Sequence, residues 1–205
     1  MTYLPSGIDP NIMICSMKLG DYAKAVKEFH GTLAPGLLVG GFMVDLASKN
    51  LPEGEFFDAV SEASGCLPDA IQLLTPCSIG NGWLKLKESG RFSLTLYNKY
   101  TGAGVRVFID PATLPHWTEI RNWFLKLVPK HEQDTERLIS EIVEAGVSIL
   151  ALEQVTVDVT ISKKTKGQKI LFCPDCGEPY PIKFGDKCGY CSGKAVYYQQ
   201  SAAVR

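Results

Sequence analysis

Two CxxC pairs, Cys173-x2-Cys176 and Cys188-x2-Cys191, stand eleven residues apart near the end of a 205-residue chain, and no other feature constrains its folding as tightly. Two thiols two residues apart can grip one ion when the backbone curls over them, because the amides of the turn point at sulfur and offset part of the thiolate charge. The runs "CPDCGEPY" and "CGYCSGKAVYY" both read as such reversals, with Gly177 as the flexible position after the second ligand. Together they supply a tetrahedral four-sulfur set with no position left for water or substrate. A tail of this length cannot hold itself together by burial, and a structural ion is the usual remedy below ~40 residues. One structural zinc ion is expected; iron in a rubredoxin-like centre uses the same ligands and is the alternative. A redox dithiol is the competing reading, and two CxxC pairs at this spacing speak against it.

The charge distribution marks the same boundary. Residues 163–205 hold eight Lys/Arg against three Asp/Glu, whereas residues 1–162 hold thirteen against nineteen. The "SKKTKGQK" run reads as a polar linker, so the expected domains are 1–162 and 163–205. The net charge of -1 gives no general pull toward nucleic acid or anionic membrane. No apolar run reaches the ~20 residues of a spanning helix and no basic region followed by an apolar core opens the chain, which predicts a cytoplasmic protein without a membrane partner. The other three cysteines, Cys15, Cys66 and Cys77, are scattered, a pattern that favours metal over disulfides.

Hydrophobic periodicity places the remaining elements. Leu19, Tyr22, Val26 and Phe29 share a helical face, with Asp21 as the expected N-cap and Gly31 as the stop just after His30. Pro35 suits the first turn of "PGLLVGGFMVDLASKN", whose Gly36, Gly40 and Gly41 predict close approach of another backbone. "FFDAVSEAS" reads as a strand and "LPDAIQLLT" as a short helix. "WLKLK" and "RFSLTLYN" alternate with period two around Glu88-Ser89-Gly90 and predict a hairpin, and "VRVFID" predicts a further strand. Ile120, Trp123, Phe124 and Leu127 predict one helix, Leu138, Ile142 and Ile149 a second, and the alternation over residues 155–161 a half-buried strand. The class is α+β: an antiparallel meander sheet packed with helices, plus a small C-terminal zinc-ribbon domain built on four cysteines.

Three stretches, "FHGTLAPG", "ASGCLPDAIQLLTPCSIGNGWL" and "TGAGVRV", resemble in order and spacing the FmdE-like family, the E-subunit family of formylmethanofuran dehydrogenase. The resemblance is strong over residues 29–109, and the CxxC pairs match the zinc-ribbon appendage of many members. The family's first motif reads HGHxCPG, and its later loop T-G-C-T-x-G-x-G. The resemblance carries over His30 and Cys77, but the second histidine is Thr32 here, the motif cysteine is Ala34, and Pro76 and Ser78 flank Cys77. Two metal-binding groups have become poor or null ligands. Cys66 lies at the start of a predicted helix, where the dipole favours thiolate. A second ion held by His30, Cys66 and Cys77, with Glu62 or Asp69 nearby, is therefore the weaker candidate beside the four-cysteine site; otherwise His30 caps helix carbonyls.

The resemblance implies a homodimer, with the glycine-rich helix over residues 35–48 as a contact surface, and a non-catalytic accessory or regulatory protein, because the family's molybdopterin chemistry belongs to other subunits. No site for that cofactor is legible in this chain. The first alternative is a metal- or thiol-dependent enzyme using a His30/Cys66/Cys77 pocket. The second is a nucleic-acid-binding regulator acting through the tail, with Lys163, Lys164, Lys166 and Lys169 on phosphates and Tyr180, Tyr190, Tyr197 and Tyr198 stacking on bases. The blander reading of those residues is a solvated linker and a protein-contact module.

Overall fold

A computed structural model describes residues 3–51, 56–162 and 169–197. The chain divides into two compact units, Met1–Ser162 and Lys163–Arg205. In the first, a minimal hairpin of β1 (Met13–Ile14) and β2 (Met17–Lys18) leads into α1 (Leu19–His30), which Gly31 ends in the left-handed conformation at φ 87°. Asp21 is not the N-cap. The N-cap is Lys18, three residues earlier, and the free amides of Leu19 and Gly20 donate to the carbonyls of Ile12 and Pro10 in the preceding loop. Leu19, Tyr22 and Val26 are buried, while Phe29 is exposed.

Helix α2 (Pro35–Asn50) carries the core. Almost every residue from Gly36 to Asp45 is buried, on all sides of the helix, and its glycines explain how neighbours reach it. A Cβ on Gly36 would lie 2.9 Å from the Cβ of Cys66, one on Gly40 2.8 Å from that of Ala70, and one on Gly41 2.7 Å from the ring of Tyr22. Cys66 and Ala70 belong to the start and middle of α3 (Leu67–Leu74), and Tyr22 to α1, so two helices seat directly on the α2 backbone. The Tyr22 hydroxyl also donates to the Leu37 carbonyl at 2.8 Å. The glycine face expected to meet another copy of the chain is thus filled from within.

The sheet runs β4-β3-β5-β6-β7, with β3 at Phe57–Ser61, β4 at Leu84–Leu86, β5 at Ser93–Asn98, β6 at Ala103–Ile109 and β7 at Leu150–Thr156. The antiparallel part, β3-β5-β6-β7, is as expected, but the hairpin around Glu88-Ser89-Gly90 does not exist. Strands β4 and β5 flank β3 on opposite sides: Val60 faces Lys85 in a parallel pairing and Thr95 in an antiparallel one. Parallel neighbours need a crossover, and α3 supplies it between β3 and β4. Alternation identifies both strands and says nothing of their partners.

Strand β7 also lies earlier than the alternation of residues 155–161 suggests. Beyond Thr156 the Asp158 side chain accepts from the Thr160 amide at 2.9 Å and turns the chain into a 3-10 segment, Val159–Ser162. Helix α4 (Thr118–Phe124) ends before Leu127, which is exposed, and α5 (Thr135–Ala145) ends before Ile149, which is buried from a following 3-10 turn. Leu94, Leu96, Val105 and Val107 of the sheet close the core together with Leu37, Leu38 and Met43 of α2. Among the described residues, no helix is long and apolar enough to cross a membrane. The second unit pairs β8 (Ile170–Phe172) with β9 (Pro179–Pro181). Most of the "SKKTKGQK" run, with Lys163, Lys164 and Lys166, lies outside the described residues, as does Tyr198.

Gly40→Ala separates packing from helix propensity. Propensity alone predicts a gain of about 1 kcal/mol, whereas a methyl pressed on the Ala70 Cβ, which no rotamer can move aside, costs about 1–3 kcal/mol. Urea unfolding followed by tryptophan fluorescence should show a net loss of stability; all three tryptophans lie in the first unit.

Candidate functional site

The four tail cysteines converge. Cys173 follows β8 and its amide donates to the Glu178 carbonyl at 2.9 Å, while the Gly177 amide closes the reversal on the Cys173 carbonyl at 2.8 Å, with Gly177 at φ 77°. The second reversal repeats the device: the Cys191 amide points at Cys188 Sγ, 3.4 Å away, and the Ser192 amide donates to the Cys188 carbonyl. Lys187 bridges to Asp175 at 2.7 Å, tying one reversal to the other. All four Sγ atoms lie within 4.8 Å of one another, and Cys176 and Cys188 are 3.9 Å apart. A tetrahedral ion with sulfur bonds of about 2.3 Å sets sulfurs roughly 3.8 Å apart, so the donor set suits zinc, with the Cys176–Cys188 pair already at that spacing.

The thiols are electrostatically unequal. Cys173 is pulled down to about 6 by the backbone amides of Cys176 and Cys188, while Cys191 is held above the usual thiol range, first by burial and then by neighbouring thiols. One sulfur ionises readily, and each further thiolate meets the charge of those before it. A divalent cation removes that penalty. Among the described residues of this unit, only Cys173 and Tyr180 are buried; Phe172 and Tyr197 are 77% and 87% exposed. Tyr180, expected as a stacking surface, instead donates its hydroxyl to the Gly185 carbonyl at 2.9 Å.

The other three candidate ligands fall in the first unit and part ways. His30, the last residue of α1, sets Nδ1 2.7 Å from Asp69 Oδ2 in the first turn of α3, so its partner is a carboxylate rather than helix carbonyls. Cys66 precedes α3 in a three-residue turn at φ 56°, with the Leu67 amide donating to the Gly65 carbonyl at 2.6 Å. Its sulfur lies over the bare Gly36 backbone, and burial, then the charge of Asp69, push its pKa up; the thiolate expected from the helix dipole is not favoured. Cys77 is wholly buried in the core, where its thiol faces the Phe57 carbonyl at 3.6 Å and burial raises it to about 11. Among the described residues, no donor group of three or more within 4.8 Å exists besides the four tail cysteines.

Sequence reasoning missed the cleft beside these residues. A cavity of about 780 Å³ is lined by Cys66, Arg91, Phe92, Trp123 and Phe124, and one of about 560 Å³ by Thr32, Ala34, Trp123 and Lys130; Lys126 lines both. Phe92, Trp123 and Phe124 meet with ring centroids 6.0–6.5 Å apart. Lys126 has φ 54°, because α4 ends in a Schellman turn: the Leu127 amide donates to the Asn122 carbonyl at 2.9 Å and that of Lys126 to Trp123 at 3.3 Å. Glycine is the usual residue there, and a lysine costs about 1 kcal/mol or more. Only the helix-ending "LVPK" hints at this turn.

Glu62, on the rim, accepts from Arg106 at 2.6 Å and from Ser89 at 2.7 Å, and pairs with Arg91 at 2.6 Å. Burial works to raise its pKa, but the hydrogen bonds from Arg106, Ser89 and Ser93 outweigh it and hold Glu62 at about 2. The depressed pKa stabilises the fold fully above pH ~4.5, and that contribution is lost as pH falls toward 2. Tryptophan-monitored unfolding should lose on the order of 2–3 kcal/mol from this group across that window, and Glu62→Gln should flatten that part of the profile.

Comparison with known proteins places these features in context. Residues 29–157 match the family profile described as FmdE, molybdenum formylmethanofuran dehydrogenase operon, and residues 164–198 match the FmdE treble clef zinc finger, the description that takes the place of a ribbon. A crystal structure of a tungsten formylmethanofuran dehydrogenase FmdE-like protein from Syntrophus aciditrophicus is 49% identical, with a TM-score of 0.83 over 91% of this chain and 98% of that one. A probable S-adenosyl-L-methionine-binding protein of Archaeoglobus fulgidus is 28% identical over 141 residues, which are 62% of this chain and 38% of that relative.

Proposed function

Because the chain belongs to the FmdE family, we propose that it is a non-catalytic accessory protein whose C-terminal finger is built on one structural zinc ion. The observation that carries this reading is the four-sulfur cluster in a unit with two buried residues among those described. Burial of that size is too small by itself to offset the conformational entropy of ordering the unit, and a structural ion bound only by the folded form adds its binding free energy to folding. The ion closes the site, and a closed site holds shape rather than turning over substrate.

The accessory role is supported by the first unit. Where the family motif has a second histidine and a cysteine, this chain has Thr32 and Ala34, and the nearby thiols of Cys66 and Cys77 are raised rather than activated. The exposed Phe172 and Tyr197 suit a protein contact of the finger. A two-fold homodimer belongs to the same reading, through a face other than α2. The S-adenosyl-L-methionine binding in the name of the Archaeoglobus relative does not, since the shared segment is 38% of that protein.

Elemental analysis with native mass spectrometry tests the proposal. The intact protein should carry one zinc per chain, Cys173→Ser should lose it, and Cys77→Ser should keep it. Two ions per chain, or loss of metal in Cys77→Ser, would overturn the single-site reading. Alkylation of Cys66 should be no faster than that of a free thiol; a much faster rate would favour the enzyme.

A further inference from the structure

We propose that the smaller cavity, of about 560 Å³, binds a small aromatic anion, with its ring against Trp123 and its charge between Lys126 and Lys130. This binding does not depend on the zinc ion or on the accessory role, and either can fail without the other. The volume is within the range of small-molecule sites. The lining is apolar along Leu33, Pro35, Trp123 and Leu138, which suits a flat hydrophobic body.

Charge selects the sign of the ligand. Two lysines line this cavity and no aspartate or glutamate does. Among the described residues, neither Lys126 nor Lys130 makes an ion pair within 4.0 Å, whereas Arg91, which lines the adjoining cavity, is engaged by Glu62. Glu88 is the other acid of that adjoining cavity and does not line this one. Two unpaired ammonium groups beside an aromatic wall attract an anion that is apolar elsewhere.

Lys126 occupies the left-handed slot of the turn that ends α4, where glycine is at ease and a lysine is strained. From that position Lys126 lines both cavities. A substitution can therefore relieve the backbone while removing the charge.

The test is a fluorescence titration of the full chain with 8-anilinonaphthalene-1-sulfonate at low ionic strength, beside N-phenyl-1-naphthylamine as the uncharged analogue. The sulfonate should bind saturably. Lys126→Gly should weaken it at least about fivefold while the neutral analogue holds its affinity, as for loss of one charge-assisted contact. Lys126→Arg should restore binding, and Lys130→Gln should weaken it as well. The melting temperature of Lys126→Gly should equal or exceed that of the parent chain. Non-saturable binding of the sulfonate, a smaller effect of Lys126→Gly, or parallel weakening of both probes would overturn the proposal.

Discussion

The bare backbone of α2 is the constraint on which the first unit depends. Gly36, Gly40 and Gly41 let Cys66, Ala70 and Tyr22 sit where side chains would otherwise stand, so α3 and α1 are fixed against one helix within a few tenths of an ångström. Everything near the cleft inherits that placement. The seat of α3 sets Asp69 opposite His30, and the loop with Thr32 and Ala34 runs between Gly31, where α1 stops, and Pro35, where α2 begins. The same α3 is the crossover that makes β4 a parallel neighbour of β3, so the sheet order also follows from the glycine notches.

The two units obtain order in different ways. The first buries aliphatic side chains on both sides of α2. The second leaves Ile170, Phe172, Ile182 and Val196 substantially exposed, and its described core is one cysteine and one tyrosine. Within it the ordering elements are amide-to-sulfur and amide-to-carbonyl contacts of two reversals, which orient donors around a common centre. Such contacts select a geometry, and an ion bound among the four sulfurs would supply free energy that holds it.

What the sequence reveals and what it hides divide along physical lines. Local chemistry is legible: Pro35 and Gly31 bound the helices, and the doubled CxxC spacing foretells the sulfur cluster. Pairing is not, because alternation in "WLKLK" and "RFSLTLYN" fixes faces rather than neighbours. The start of α1 escapes periodicity because its free amides are met by Ile12 and Pro10, carbonyls of a loop that propensity does not see. His30, Cys66 and Cys77 group by motif, yet their separation depends on which side of α3 each sulfur or nitrogen falls. Cys77 falls inward to Phe57 and Cys66 into the Gly36 notch. Lys126 is invisible since a positive φ on a lysine leaves no mark in composition or period.

These placements decide which chemistry is open to the side chains beside the cleft. Thr32 and Ala34 place no nitrogen or sulfur donor in the loop, the Asp69 carboxylate engages His30, and burial raises the pKa of the Cys66 and Cys77 thiols. What is left facing the smaller cavity is an indole and two ammonium groups, one of them held at a strained position that glycine would fill more comfortably. Strain of about 1 kcal/mol persists where the surrounding packing over-determines it, and here that packing is the aromatic group of Phe92, Trp123 and Phe124 beside the turn. Beside the cleft the local field is set by side-chain charge, and the described residues there bring no three metal donors together.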